Sequence, residues 1–314
     1  MNIYFAPLEG LTDSVYRKLH HKYFPGVQRY YTPFFSPTSS RKLTPREIRE
    51  LPPADSLGVP VVPQLLTKNP EDFLWMCEKF QDLGYREINL NTGCPSGTVT
   101  AKGKGAGMLR EPESLARFLD EIFEKASVQI SVKTRLGFEN PEEFPEILEI
   151  FNHYPIQELI VHPRVRNAFY KGAVDKDAFA YALTHSKAPV CYNGNLNTPA
   201  DISAISGEYS ALKAVMLGRG LIGDPGMCSP GGTNRDTLGA FFAELLEEYL
   251  IAFGGSRNAM FRLKEHWRYL LCKFEGSEKL GKRLRKTTDL EEYKQITKEI
   301  LRNLPMRKEV VADW

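Results

Sequence analysis

The chain has 314 residues, 42% of them hydrophobic and 25% charged, enough for one large domain and a smaller one without disulfide or metal staples. Five scattered cysteines lack metal-ligand spacing, and no run approaches the roughly eighteen apolar residues of a membrane span, which argues against a disulfide scaffold, a structural metal site and a membrane protein. No signal peptide is recognised, so a cytoplasmic protein in a reducing compartment is expected. The net charge of +2 hides an asymmetry: 257–308 holds fifteen Lys or Arg against seven Asp or Glu, a net of +8, and the rest of the chain carries −6. Such a division favours a polyanionic partner.

In chain order, short apolar runs fall at 3–6, 27–33, 59–66, 87–91, 129–133, 158–162, 189–193 and 214–217. Helical patterns lie between them at 14–23, 71–83, 112–125, 141–153, 176–186 and 199–206, several opening near Pro or Asp. Eight strands with crossover helices predict an α/β chain folded as a TIM (β/α)8 barrel, with a doubly wound sheet as the competitor. The stretch 36–56, polar and proline-bearing, reads as a loop, and 225–236 reads as a linker. Beyond it come helical patterns only, at 238–253, 257–274 and 289–303, which predicts a small all-α domain. Leu263, Trp267, Leu270 and Leu271 share one face there, the pattern of core packing. The expected domains are a barrel over 1–228 and a basic helical domain over 229–314.

The central stretch is 87–109, EINLNTGCPSGTVTAKGKGAGML. Its strand breaks at Gly93-Cys94-Pro95 into a glycine-rich loop, so Cys94 stands just past a strand end on a segment shaped like a lid. A buried, inert cysteine beside an ordinary turn is the plainer reading. Nearly every predicted strand ends on polar or glycine-containing groups: Pro7-Leu8-Glu9-Gly10, Gln64, Asn91, Lys133, His162, Asn193-Gly194 and Gly218-Arg219-Gly220. Barrel enzymes place their chemistry at those ends, and the last two turns suit a phosphate. Lys133 and Gln64 are the residue types that a flavin ring edge requires, a cation and an amide; a surface lysine beside Arg135 is the alternative.

The segments APLEGLTD at 6–13, QLL at 64–66, NLNTGCPSGTV at 89–99, GAGML at 105–109, SVKTRLG at 131–137, VHPR at 161–164, NGN at 193–195 and LGRG at 217–220 together resemble the tRNA-dihydrouridine synthases. They fall in the family's order over about the first 225 residues. The resemblance implies an FMN-containing barrel that reduces the C5=C6 bond of uridine in tRNA, with NADPH or NADH as reductant. It implies FMN contacts at Pro7, Leu8, Glu9, Gln64, Lys133, His162, Asn193, Gly194, Asn195, Gly218 and Arg219. Cys94 matches the catalytic acid, and Asn91 and Arg135 match positions near the target uracil. The basic tail would grip tRNA, and a monomer with no obligate protein partner is expected. Two rival functions remain: a dihydroorotate- or dihydropyrimidine-type flavin oxidoreductase acting on a free pyrimidine, and a non-catalytic tRNA-binding flavoprotein.

Overall fold

The computed structural model describes residues 1–38, 41–54 and 58–313. Among the described residues are nine parallel strands: β1 (Asn2–Phe5), β2 (Arg29–Tyr31), β3 (Val61–Val62), β4 (Gln64–Leu65), β5 (Glu87–Thr92), β6 (Gln129–Arg135), β7 (Leu159–His162), β8 (Val190–Tyr192) and β9 (Ala214–Leu217). Their order in the sheet is β3-β2-β1-β9-β8-β7-β6-β5-β4. The sheet's two ends, β3 and β4, are consecutive in the chain and separated only by Pro63. Proline has no N–H to offer a ladder. Val61 and Val62 pair with β2, whereas Gln64 and Leu65 pair with β5, and the Pro63 carbonyl accepts the Asn89 N–H at 2.9 Å. The run expected as one strand over 59–66 therefore serves both neighbours in turn, and it closes an eight-stranded barrel.

Contacts divide the chain into two compact units. The first, Met1–Pro7, Arg29–Gly194 and Ser206–Met216, holds the barrel sheet. Its helices include α2 (Pro45–Glu50), α3 (Pro70–Asp82), α4 (Gly97–Thr100), α5 (Pro112–Lys125), α6 (Phe144–Asn152) and α7 (Lys176–His185). Asparagine and aspartate begin two of them: the side chains of Asn69 and Asp175 cap α3 and α7. The pattern over 141–153 resolves into a 3-10 turn, Pro141–Glu143, followed by α6, whose second residue is Pro145. The expected loop over 36–56 contains α2, opened by a Thr44–Glu47 capping box; positions 39, 40, 55 and 56 of that loop lie outside the described residues. Inside the barrel Tyr4, Tyr31, Val62, Ile160, Cys191, Ala214 and Met216 form an apolar layer.

The second unit comprises Leu8–Gln28, Asn195–Ile205 and Leu217–Trp314. It contains α1 (Ser14–Tyr23), α9 (Arg219–Gly223), α10 (Arg235–Phe253), α11 (Ser256–Leu270), α12 (Glu278–Lys286) and α13 (Leu290–Asn303), while α8 (Pro199–Glu208) crosses the division. The units thus depart from a division at 228/229, because α1 packs with the C-terminal helices. The Tyr16 ring stacks on His266 at 4.6 Å, the Tyr249 hydroxyl donates to the Asp13 carboxylate at 3.1 Å, and His266 Nε2 meets the Leu11 carbonyl at 2.8 Å. Leu263, Trp267 and Leu270 are fully buried, as their spacing predicts, whereas Leu271, in the 3-10 turn Leu271–Lys273 that follows α11, is half-buried. Sequence periodicity did not indicate α12, a nine-residue helix with the weak helix former Gly281 in its middle. No helix among the described residues is long and apolar enough to cross a membrane.

Candidate active site

Strand register builds the site. Side chains two residues apart share a face of a strand, so Asn89 and Asn91 on β5 point the same way, as do Ser131, Lys133 and Arg135 on β6. Gln64 is in register with Asn89 and Asn89 with Ser131, Asn91 is opposite Lys133, and Arg135 is opposite His162. Three successive levels of polar side chains climb toward the carboxyl ends of the strands. The strand over 129–133 runs two residues further than expected, to Arg135, and so brings that guanidinium into the series.

At the lowest level the Gln64 amide donates to Asn89 Oδ1 at 2.7 Å, and Asn89 Nδ2 donates to Ser131 Oγ at 3.0 Å. All three residues are buried, and each hydrogen bond replaces one that water would otherwise supply. One level up, Asn91 Nδ2 donates to Gln64 Oε1 at 2.8 Å. Asn91 Oδ1 accepts the N–H groups of Gly93 at 3.0 Å and Cys94 at 2.9 Å. One amide therefore ties the barrel ladder to the backbone that carries the cysteine.

The glycine-rich segment folds back over Cys94 as α4 and a 3-10 turn, Gly105–Arg110. The Ala106 N–H donates to the Cys94 carbonyl at 3.1 Å. Gly105 has φ +57, and a Cβ there would lie 2.9 Å from the Cys94 oxygen and 3.0 Å from its Cβ, so only glycine allows this approach. Cys94 is left half-buried.

Lys133 is half-buried, and among the described residues its amine has neither a hydrogen-bond nor an ion-pair partner. Burial lowers its pKa to about 8, and the like charge of Arg135 adds to the effect. The Arg135 guanidinium is buried, which lowers its pKa to about 10; it donates to the carbonyls of Gly93 at 2.9 Å and Val165 at 3.0 Å. His162 Nε2 lies 2.8 Å from an Arg164 guanidinium nitrogen. Arginine can only donate, so Nε2 accepts, and a neutral His162 carries its proton on Nδ1. The Tyr170 ring stacks on His162 at 6.1 Å and sits 5.4 Å from the Arg135 guanidinium.

Gln64, Asn91, Cys94, Lys133, Arg135 and His162 thus come together within the first unit. Asn193 and Gly194 belong to the same unit: Asn193 Nδ2 donates to the Met216 carbonyl at 2.8 Å, and a Cβ on Gly194 would lie 3.6 Å from His162. Pro7 ends that unit's first segment. Leu8, Glu9, Asn195, Gly218 and Arg219 belong to the second unit. There the Leu8 carbonyl accepts the Leu11 and Thr12 N–H groups, Glu9 is exposed, and Asn195 has φ 44. Within that unit the chain after Asn195 approaches the Gly218–Gly220 turn: a Cβ on Gly220 would lie 2.3 Å from the Leu196 carbonyl oxygen. Asn89, Ser131 and Tyr170 were not singled out from sequence, whereas Arg164 was expected at the same rim as His162. The two-residue period from Asn91 and Lys133 points to the first two, whereas Tyr170 lies in a loop with no period to mark it.

The fold and this polar cluster define a protein of the (β/α)8-barrel class, with polar side chains gathered at the carboxyl ends of the strands. The family model Dihydrouridine synthase (Dus) matches residues 4–304, and the chain belongs to that family. Its reaction is the family's, a reductive dihydrouridine synthesis, and it is an oxidoreductase. The tRNA-dihydrouridine(16) synthase of Pseudomonas putida is 33% identical over 238 residues, 72% of this chain and 71% of that protein. The tRNA-dihydrouridine synthase B of Proteus vulgaris is 28% identical over 70% of this chain and 67% of its own length. A probable tRNA-dihydrouridine synthase 1 of Synechocystis is 25% identical over 93% of this chain and 84% of its own. Among solved structures, a variant of NCR from Zymomonas mobilis superposes with TM-score 0.51 at 12% identity, covering 77% of this chain and 86% of that one. Morphinone reductase does so with TM-score 0.51 at 11% identity, over 72% and 84%. At those identities the likeness is one of fold.

Proposed function

We propose that the chain reduces the C5=C6 bond of a uridine in tRNA, with FMN as the bound flavin and NADPH as the donor that reloads it. The observation that carries the reading is the partnerless Lys133 amine one register level above the Gln64–Asn89 ladder, with Cys94 fixed beside it through Asn91. A half-buried cation with no counter-charge suits the electron-rich N1–C2=O edge of a flavin, and Gln64 keeps one N–H for a ring edge. When bound, the flavin supplies the hydride that adds at uracil C6. Cys94 supplies the proton at C5, so one hydride and one proton saturate the bond, and the residue must act as a neutral thiol. Asn91 orients Cys94, while Arg135 and the Tyr170 ring border the place a uracil would enter. The remaining FMN contacts are Pro7, Leu8, Glu9, His162, Asn193, Gly194, Asn195, Gly218 and Arg219, the last five from the two glycine-containing turns whose backbone suits a phosphate.

The tail supplies the RNA grip. On α12 the exposed Lys279, Lys282, Arg285 and Lys286 make no ion pair among the described residues, so their charge is available to phosphates. Residues 1–228 carry the chemistry and 229–314 this grip, although α1 shares its core with the tail. The enzyme acts as a cytoplasmic monomer that needs no protein partner. Relatives from Pseudomonas putida and Aquipseudomonas alcaligenes, 33% and 30% identical, are tRNA-dihydrouridine(16) synthases, which makes uridine 16 the first position to map.

The test incubates the protein with FMN, NADPH and unmodified tRNA transcripts, with free uracil in parallel, and measures dihydropyrimidines by mass spectrometry. Dihydrouridine in RNA alone is expected, and Cys94→Ala should abolish most of it while leaving bound flavin intact. Reduction of the free base alone would assign the chain to a small-molecule oxidoreductase, and flavin binding without either product would support the non-catalytic reading.

A further inference from the structure

The turn after β7 presents two consecutive aromatic residues to solvent, Phe169 at 41% exposure and Tyr170 at 52%. Phe169 has φ 49 and ψ −108, a combination in which Cβ collides with the chain's own backbone and which glycine occupies as the second residue of a type II′ turn. The Lys171 N–H donates to the Ala168 carbonyl at 2.9 Å and closes that turn. A phenylalanine at such a position is less stable than a glycine would be, and folding alone gives no reason to expose its ring.

The ring is braced from within the unit. The Arg166 guanidinium lies 5.0 Å from the Phe169 centroid and 5.1 Å from that of buried Phe138. The same guanidinium donates to Thr100 Oγ1 at 3.2 Å, on the helix that follows Cys94. Tyr170, the next residue, is turned toward His162 and Arg135. The two rings therefore divide the rim, Tyr170 over the catalytic cluster and Phe169 on the side of Arg166.

We propose that Phe169, backed by Arg166, is a stacking platform for the nucleobase that flanks the target uridine in the RNA. The proposal rests on the tRNA reading above. A uridine that reaches the cluster must leave its stack, and its neighbour then loses a partner for one aromatic face. An exposed ring braced by a cation replaces that partner and tolerates any base, since every base has a π-face.

The experiment compares the parent, Phe169→Gly and Phe169→Trp, measuring affinity at one salt concentration for an unmodified tRNA transcript and for a fully paired RNA duplex of similar charge. Phe169→Gly should weaken tRNA binding by about 10-fold, leave duplex binding unchanged and hold or raise Tm, because the turn is relieved. Phe169→Trp should keep the parent's affinity for tRNA. Unchanged tRNA affinity in Phe169→Gly overturns the proposal, as does an equal loss on the duplex or a lowered Tm with both affinities reduced. Dihydrouridine formation by the parent is read in parallel. A parent that makes none yet shows the tRNA-specific loss in Phe169→Gly would fail the functional reading and keep the platform, whereas a parent that binds tRNA no better than duplex overturns both.

Discussion

Asn91→Ala tests whether one buried amide positions the cysteine. The substitution removes the Nδ2 bond to Gln64 and the acceptor shared by the Gly93 and Cys94 N–H groups. A buried donor that loses its acceptor costs about 1–3 kcal/mol, and an ordinary hydrogen bond contributes about 1 kcal/mol net. Gly93 is buried and pays most of that cost, whereas the half-buried Cys94 segment can regain water. The expected destabilisation is about 3 kcal/mol, which for a chain of this length lowers Tm by about 4 °C. The rate of dihydrouridine formation should fall at least 10-fold with tRNA affinity nearly unchanged, because the thiol is misplaced while the phosphate contacts remain. Calorimetry and single-turnover kinetics with tRNA read the two effects separately. Parental Tm together with a parental rate would refute the positioning role. An Asn91→Asp variant sharpens the comparison: its carboxylate still accepts both N–H groups but meets the Gln64 oxygen without a donor, so it should recover part of the rate and little of the stability.

The barrel interior also makes a prediction about pH. Burial raises the Glu158 carboxyl to about 7, against the ordinary 4.5 and despite Arg29 at 3.7 Å. The folded chain then holds a proton that the unfolded chain releases between pH 4.5 and 7, so stability falls as pH rises through that window. Glu158→Gln should be more stable than the parent at pH 8, by on the order of 3 kcal/mol, and should lose that advantage at pH 4.5; a difference in urea midpoint that does not vary with pH would refute the assignment. Removing residues from Asp236 onward should fail to leave a stable barrel, because α1 loses Tyr249, His266 and Phe241 from around Asp13 and Tyr16. Recovery of a monomeric chain with a cooperative melt would show that α1 stands without the tail.

The sequence by itself determined the elements and the type of site. Two-residue alternation and capping residues such as Asn69 and Asp175 are local signals, and they located the eight barrel strands and most helices to within a few residues. The motifs around Cys94, Lys133 and the late glycine turns carried the family, since residue type and order survive without coordinates. Tertiary structure decided what local patterns do not encode. Pro63 looked like one residue within a strand, and only pairing with two different neighbours shows that it closes the barrel. The ladder Gln64–Asn89–Ser131 depends on register between strands far apart in sequence, which no window along the chain contains. α12 was hidden by its length and by Gly281, and burial of its own Leu280 and Leu284, with Leu271 close against Gly281, supplies the packing that its propensity lacks. α1 joined the C-terminal helices through side chains more than two hundred residues away, because the apolar face of a helix carries no mark of which partner will cover it.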